Sequence, residues 1–209
     1  MKLLSNLLAA FAGASTIFLA PLALAEEHVN VYSARHYDTD LNLYSTFTKQ
    51  TGVEVRLIEG GSDALMERIA NEAEFTPADL LITVDAGRLW RAKTRGLLQA
   101  VDSEVLNSRI PSHLRDSEGH WFGLSKRARI IVSNKNKPLP FDITRYEDLA
   151  DSRLKSLICM RSSSNIYNLS LLSALIEMRG TGAAQQWAQQ VVNNFARKPQ
   201  GNDTSNLAA

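Results

Sequence analysis

The residues most able to do chemistry lie in three short stretches. The first is Tyr32-Ser33-Ala34-Arg35-His36-Tyr37-Asp38. It places an imidazole beside a phenol, and both groups are suitable ligands for iron. A hard trivalent cation prefers anionic oxygen and displaces the phenolic proton on binding. A plain polar loop with Tyr37 half-buried explains the same residues. The second stretch is Met160-Arg161-Ser162-Ser163-Ser164-Asn165-Ile166-Tyr167-Asn168. Hydroxyls and backbone amides at the start of a helix can hold an anion, or the serines can simply cap that helix. The third is Lys126-Arg127-Ala128-Arg129, a basic spot that either holds an anion or is solvated.

The elements around these stretches predict where they sit. His28–Ser33 alternates apolar and polar residues as a strand does, and Asp38–Thr51 carries apolar residues at helical spacing before Gly52. Val53–Ile58 is a second strand, and Ser62 caps a helix over Asp63–Glu72. Leu80–Val84 has the continuous apolar character of a doubly covered parallel strand, followed by a helix over Ala86–Arg95. Further strands are expected at Trp121–Leu124, Ala128–Ser133 and Ser156–Met160. A helix capped by Ser162–Ser164 should run to Met178, and another should cover Ala183–Asn194. Alternating strand and helix imply an α/β fold with a largely parallel sheet. The first two stretches each join a strand to a helix, which is where ligands bind in open α/β sheets.

Composition narrows the function. The chain has 209 residues, 22% of them charged, and a formal net charge of +1. Basic residues are scattered among acids, which argues against nucleic acid as a partner. Phosphate-binding glycine loops, nucleophile elbows and clustered zinc motifs are all missing from the sequence, so no enzyme chemistry is expected. The single cysteine, Cys159, lies in an apolar run and is expected to be a buried structural thiol. Residues 1–25 read as an export signal: Lys2, an uncharged apolar stretch, then Ala23-Leu24-Ala25 before Glu26. Cleavage after Ala25 would place the product in the periplasm. A retained membrane anchor is the alternative.

Several segments together resemble the periplasmic ferric-iron-binding proteins of ABC importers, within the type II solute-binding family. They are VNVYSARHYDTD (29–40), PADLLITVDAGRLWRAKTRGLLQ (77–99), WFGLSKRARIIV (121–132), ICMRSSSNIYNLSLL (158–172) and NFARKPQGNDT (194–204). The resemblance implies a two-lobed fold with Fe3+ held in the cleft. It implies a first α/β lobe over 26–125 and a partial second lobe over 126–209. His36 and Tyr37 match the first lobe's ligand pair, and Tyr167 matches a tyrosinate of the second. Arg127 matches the basic residue that pairs with the anionic ligands or with a synergistic anion such as carbonate. The expected partner is an inner-membrane ABC permease, and the expected state is a monomer. The family also supplies an adjacent Tyr-Tyr pair well after the QGNDT turn, and this sequence has none. Two lobes of about 150 residues each would be expected of a complete protein. The chain is therefore expected to be truncated at its C-terminus. A non-functional fragment, or a binder of a polyamine or oxyanion, are the competing readings.

Overall fold

A computed structural model describes residues 27–208. The export signal expected at 1–25 lies outside the described residues. Among those described, no helix is long and apolar enough to cross a membrane.

The expected α/β organisation is present. Strands β1 (His28–Ser33), β2 (Glu54–Glu59) and β3 (Leu80–Ile82) form a parallel sheet in the order β2-β1-β3. Val31 stands beside Leu57 on one side and Leu80 on the other. As the central strand, β1 has neighbours on both edges, and its last three residues, Val31, Tyr32 and Ser33, are fully buried. Parallel neighbours need crossover connections. Helices α1 (Asp38–Thr51) and α2 (Ser62–Glu72) lie in those crossovers. Gly52 ends α1 in a left-handed conformation (φ 78°), its N–H donating to Thr48 O at 2.8 Å, a conformation that costs glycine nothing sterically. The α2 stripe Leu65 and Ile69 packs on Tyr32 to make the first core. Polar bonds finish that core: the Tyr32 hydroxyl donates to Glu72 at 3.1 Å, and the Arg68 guanidinium lies 5.0 Å over the Tyr32 ring.

Helix α3 (Ala86–Thr94) follows β3, and α4 (Glu104–Arg109) is capped by Ser103, which accepts from Leu106 N. The sequence patterns did not predict α4. After a long irregular stretch come α5 (Ile166–Arg179), α6 (Thr181–Asn193) and the short α7 (Asp203–Leu207). A second core is centred on Leu149, Leu154, Ile158 and Val191, with Trp187 and Phe195 packed against it.

Four expectations need correction. The strands expected at Trp121–Leu124, Ala128–Ser133 and Ser156–Met160 do not form. Isolated bridges, Arg115–Phe122 and Ile158–Phe195, stand in two of those places. A strand needs a neighbour for its backbone bonds. No strand among the described residues lies beside 128–133, and Ile130 is 74% exposed. The apolar run at Leu80–Val84 stays a strand only to Ile82, because Thr83 turns out of the ladder to donate to Ser62 Oγ at 2.7 Å. The cap of α5 is Asn165, not the preceding serines. Cys159 is half-buried, beside a bridge and not inside a sheet.

Candidate metal centre

Tyr37 ends the loop from the buried end of β1 and is the residue preceding α1, with extended backbone (φ −99°, ψ 133°). Its carbonyl accepts from Asp40 N at 2.8 Å, so the first turn of the helix fixes its Cα. Arg35 is locked to Asp40 by two bonds of 2.8 and 2.9 Å. That pairing holds the Asp40 carboxyl below its ordinary range. The immobilised Arg35 guanidinium lies 5.1 Å from the Tyr37 ring centroid, and the His36 ring stacks on Tyr37 at 5.3 Å. Tyr37 is thus held by its neighbours while 40% of it remains exposed. His36 is exposed beside it.

Tyr167 is the second residue of α5. Asn165 Oδ1 accepts from Tyr167 N at 3.1 Å, which satisfies one of the unpaired amides of the first turn. Asn168 Nδ2 donates to the carbonyls of Arg161 and Ser162 at 2.8 and 3.0 Å, folding the serine loop against the helix.

Arg127 joins the two. Its Nη1 donates to the Tyr37 hydroxyl at 2.9 Å and its Nη2 to the Tyr167 hydroxyl at 3.3 Å, across 90 and 40 residues of sequence. Of the four residues singled out from the sequence, Tyr37 and Tyr167 therefore meet at Arg127, and His36 stacks on Tyr37 beside them. Two phenol oxygens converging on one guanidinium form a patch that can bind a hard cation once the phenols lose their protons. The guanidinium then balances part of the phenolate charge.

The structure adds residues that motif reading left without a role. Asp85 has φ 75° and ψ 131°, a conformation that costs a non-glycine residue of order 1–3 kcal/mol. It is over-determined there. Its carboxylate accepts from Gly87 N at 2.8 Å, and from Ser170 Oγ of α5 at 2.8 and 2.9 Å. Beside it, a Cβ on Gly87 would come within 3.3 Å of Ile166 Cδ1, so the glycine permits the close approach of α3 and α5. This contact sets α5, and hence Tyr167, against the first part of the chain. Arg129 and Arg161 both lie over the Tyr167 ring. Arg127 and Arg129 are spaced i, i+2, the period of one strand face, and that spacing was the available signal for Arg129.

A separate cluster, Asp116, Glu118 and His120, brings three donor atoms within 4.8 Å of one another. A cation is already provided by the chain. Lys93 Nζ lies 2.8 Å from Asp116 Oδ1 and 2.7 Å from Glu118 Oε2. The Lys93 bond is the main reason the Asp116 carboxyl drops from 3.8 to about 2, with bonds from His120 adding to it. With Lys93 as its cation the cluster fixes a turn.

The chain is similar to several known proteins. A family model described as "Bacterial extracellular solute-binding protein" matches residues 75–205. Iron uptake protein A1 of Synechocystis sp. is 49% identical over 184 residues, covering 88% of this chain and 51% of that protein. The solved structure of Trichodesmium IdiA (FutA) in complex with iron and citrate superposes with a TM-score of 0.80 at 55% identity, covering 86% of this chain and 57% of that one. A Salmonella typhimurium protein, provisionally named for 2-aminoethylphosphonate binding, is 34% identical over 137 residues, or 63% of this chain and 39% of its own length. The chain spans about half the length of the curated relatives it matches. The fold is that of the type II periplasmic binding proteins, and the chain belongs to the bacterial extracellular solute-binding protein family.

Proposed function

We propose that this chain carries a ferric-iron capture site. Fe3+ is its cargo, Tyr37 and Tyr167 are phenolate ligands, and His36 is a neighbouring donor. The observation that carries this reading is the convergence of both tyrosine hydroxyls on Arg127. In the iron-loaded state Arg127 keeps donating to the phenolate oxygens or to an accompanying anion such as carbonate, limiting the build-up of negative charge. The lobes extend over 26–125 and 126–209, and the two separate cores support that division. The cleft between them holds the tyrosines. Export through residues 1–25 delivers the protein, as a monomer, to the periplasm, where it hands iron to an inner-membrane ABC permease. N-terminal sequencing of the secreted product should begin at Glu26.

A second reading, capture of an oxyanion, draws on the arginines around Tyr167 and on the similarity to the Salmonella protein. One pair of titrations separates the two. Ferric citrate should produce a visible tyrosinate-to-iron charge-transfer band, while 2-aminoethylphosphonate should produce no binding heat. Heat with the phosphonate and no band with iron would replace the first reading with the second.

A further inference from the structure

The turn Asn202-Asp203-Thr204 has no part in the site as described so far, yet its central residue reaches it. Asp203 Oδ2 accepts from Arg129 Nη1 at 2.6 Å, and Asp203 Oδ1 accepts from Arg161 Nη1 at 3.3 Å. Both guanidiniums that share this carboxylate lie over the Tyr167 ring. The Arg129 Cζ is 3.5 Å from the ring centroid and that of Arg161 is 5.4 Å away. A guanidinium at such separations is attracted by the ring's negative face, and its planar shape suits stacking.

Each member is placed by its own local structure. Asp203 is the first residue of α7, whose Asn202 and Ser205 form a reciprocal cap: Asn202 Oδ1 accepts from Ser205 N, and Asn202 N donates to Ser205 Oγ, both at 2.9 Å. Arg197 ties that turn down through Ser205 O and Asn206 Oδ1 at 3.1 and 3.2 Å. The Arg129 carbonyl accepts from the Tyr146 hydroxyl at 2.8 Å, and the Arg161 carbonyl accepts from Asn168. The Tyr167 hydroxyl meanwhile meets Arg127.

We infer that Asp203, through Arg129 and Arg161, clamps the ring of Tyr167 and fixes where its hydroxyl points. These three are positioning residues for Tyr167, and the Asn202-Asp203-Thr204 turn belongs to the site. The inference rests on Tyr167 being a cargo ligand, as proposed above, only for its consequence on iron. The clamp itself is a property of the iron-free chain. It also assigns a purpose to a helix of one turn that buries no residue.

The test uses the whole chain and two readouts. The first is the aromatic NMR signal of Tyr167 without iron, assigned by its loss in Tyr167→Phe. Arg129→Met and Asp203→Asn should both move that signal in the same direction, although Asp203 touches the ring only through the arginines. Asp203→Glu should leave it near its original position. The second readout is the charge-transfer band on titration with ferric citrate. Arg129→Met and Asp203→Asn should weaken iron binding by about tenfold to a hundredfold, the usual effect of removing a partner that orients a metal ligand. Asp203→Glu should stay within about twofold, since it keeps the carboxylate that organises the arginines. Unchanged Tyr167 signals in both variants would overturn the clamp. Moved signals with unaltered iron affinity would overturn its positioning role. If the parent chain gives no band while the signals move as expected, the clamp stands and the ferric reading falls. Arg129 and Asp203 are 40% and 49% exposed, so neither change opens a core, and Asp203→Asn decides the matter if Arg129→Met does not fold.

Discussion

Arg127 is the residue on which the proposed ferric site turns. It donates to both tyrosine hydroxyls, so its loss removes the bonds that join the two. Arg127→Met should lower iron affinity by about tenfold to a hundredfold, as measured by competition with citrate. It should also leave more negative charge on the bound complex, which will shift the charge-transfer band. Unchanged affinity would remove Arg127 from the site. His36 is in a different position. It stacks on Tyr37 and is exposed. His36→Ala should therefore perturb the band less than Tyr37→Phe, and an effect equal to that of Tyr37→Phe would make His36 a full ligand. At this scale the sequence was informative about residue types and weak about partners. A His-Tyr pair at a strand end suggests a metal ligand, but the link from Tyr37 to Tyr167 runs through space. Asp203 was the least visible member, because its role depends on two arginines that only the fold brings to it.

At the level of elements, two devices hold the segments that carry the proposed site, and each makes a prediction. The first is the Lys93–Asp116 pairing, which ties α3 to the turn that leads toward Trp121 and Arg127. Inside it, Gly119 (φ 80°) sits where a Cβ would come within 2.8 Å of Val101 O. Asp116 has a carboxyl pKa lowered from 3.8 to about 2 by the Lys93 bond first and by His120 second. A depressed carboxyl pKa stabilises the fold above the unfolded value, and that contribution is lost as pH falls through the folded value. Asp116→Asn should thus be less stable than the parent at pH 7, with the gap closing between about pH 4 and pH 2. A gap constant across that window would show that the Asp116 carboxyl has the same pKa folded and unfolded. The second device is Asp85, which caps α3 and accepts from Ser170 of α5. Asp85→Ala should cost about 1 kcal/mol for the cap alone, and more for the lost Ser170 bond, read as a lower urea midpoint. A midpoint equal to the parent's would mean that neither the cap nor the Ser170 bond contributes to stability. The elements of the β1-to-α3 region were legible because each is specified locally, by strand alternation, helical stripes and Gly52. Those at Trp121–Leu124 and Ala128–Ser133 were not. Their residues suit a sheet, but a strand also needs a neighbouring strand, and pattern alone does not report one.

Across the whole molecule there are two cores, one around Tyr32 and α2 and the other around Leu154 and α6. The regions around them are joined by the bonds from Arg127 to Tyr37 and from Ser170 to Asp85, and by the approach of Ile166 to Gly87. If Fe3+ bridges Tyr37 and Tyr167 as proposed, it adds a further link and the chain should gain stability when it binds. Binding raises the melting temperature by mass action, and cargo at a hundred times its dissociation constant adds about 2.7 kcal/mol. The proposed function requires Tyr37 and Tyr167 to serve a single ferric site. The most direct test is a visible-band titration of the whole chain with ferric citrate, comparing the parent with Tyr37→Phe, Tyr167→Phe and the double variant. The expected result is a band in the parent, a weaker or shifted band in each single variant, and none in the double variant. A double variant with the parent's band, or a parent with no band, would contradict the claim.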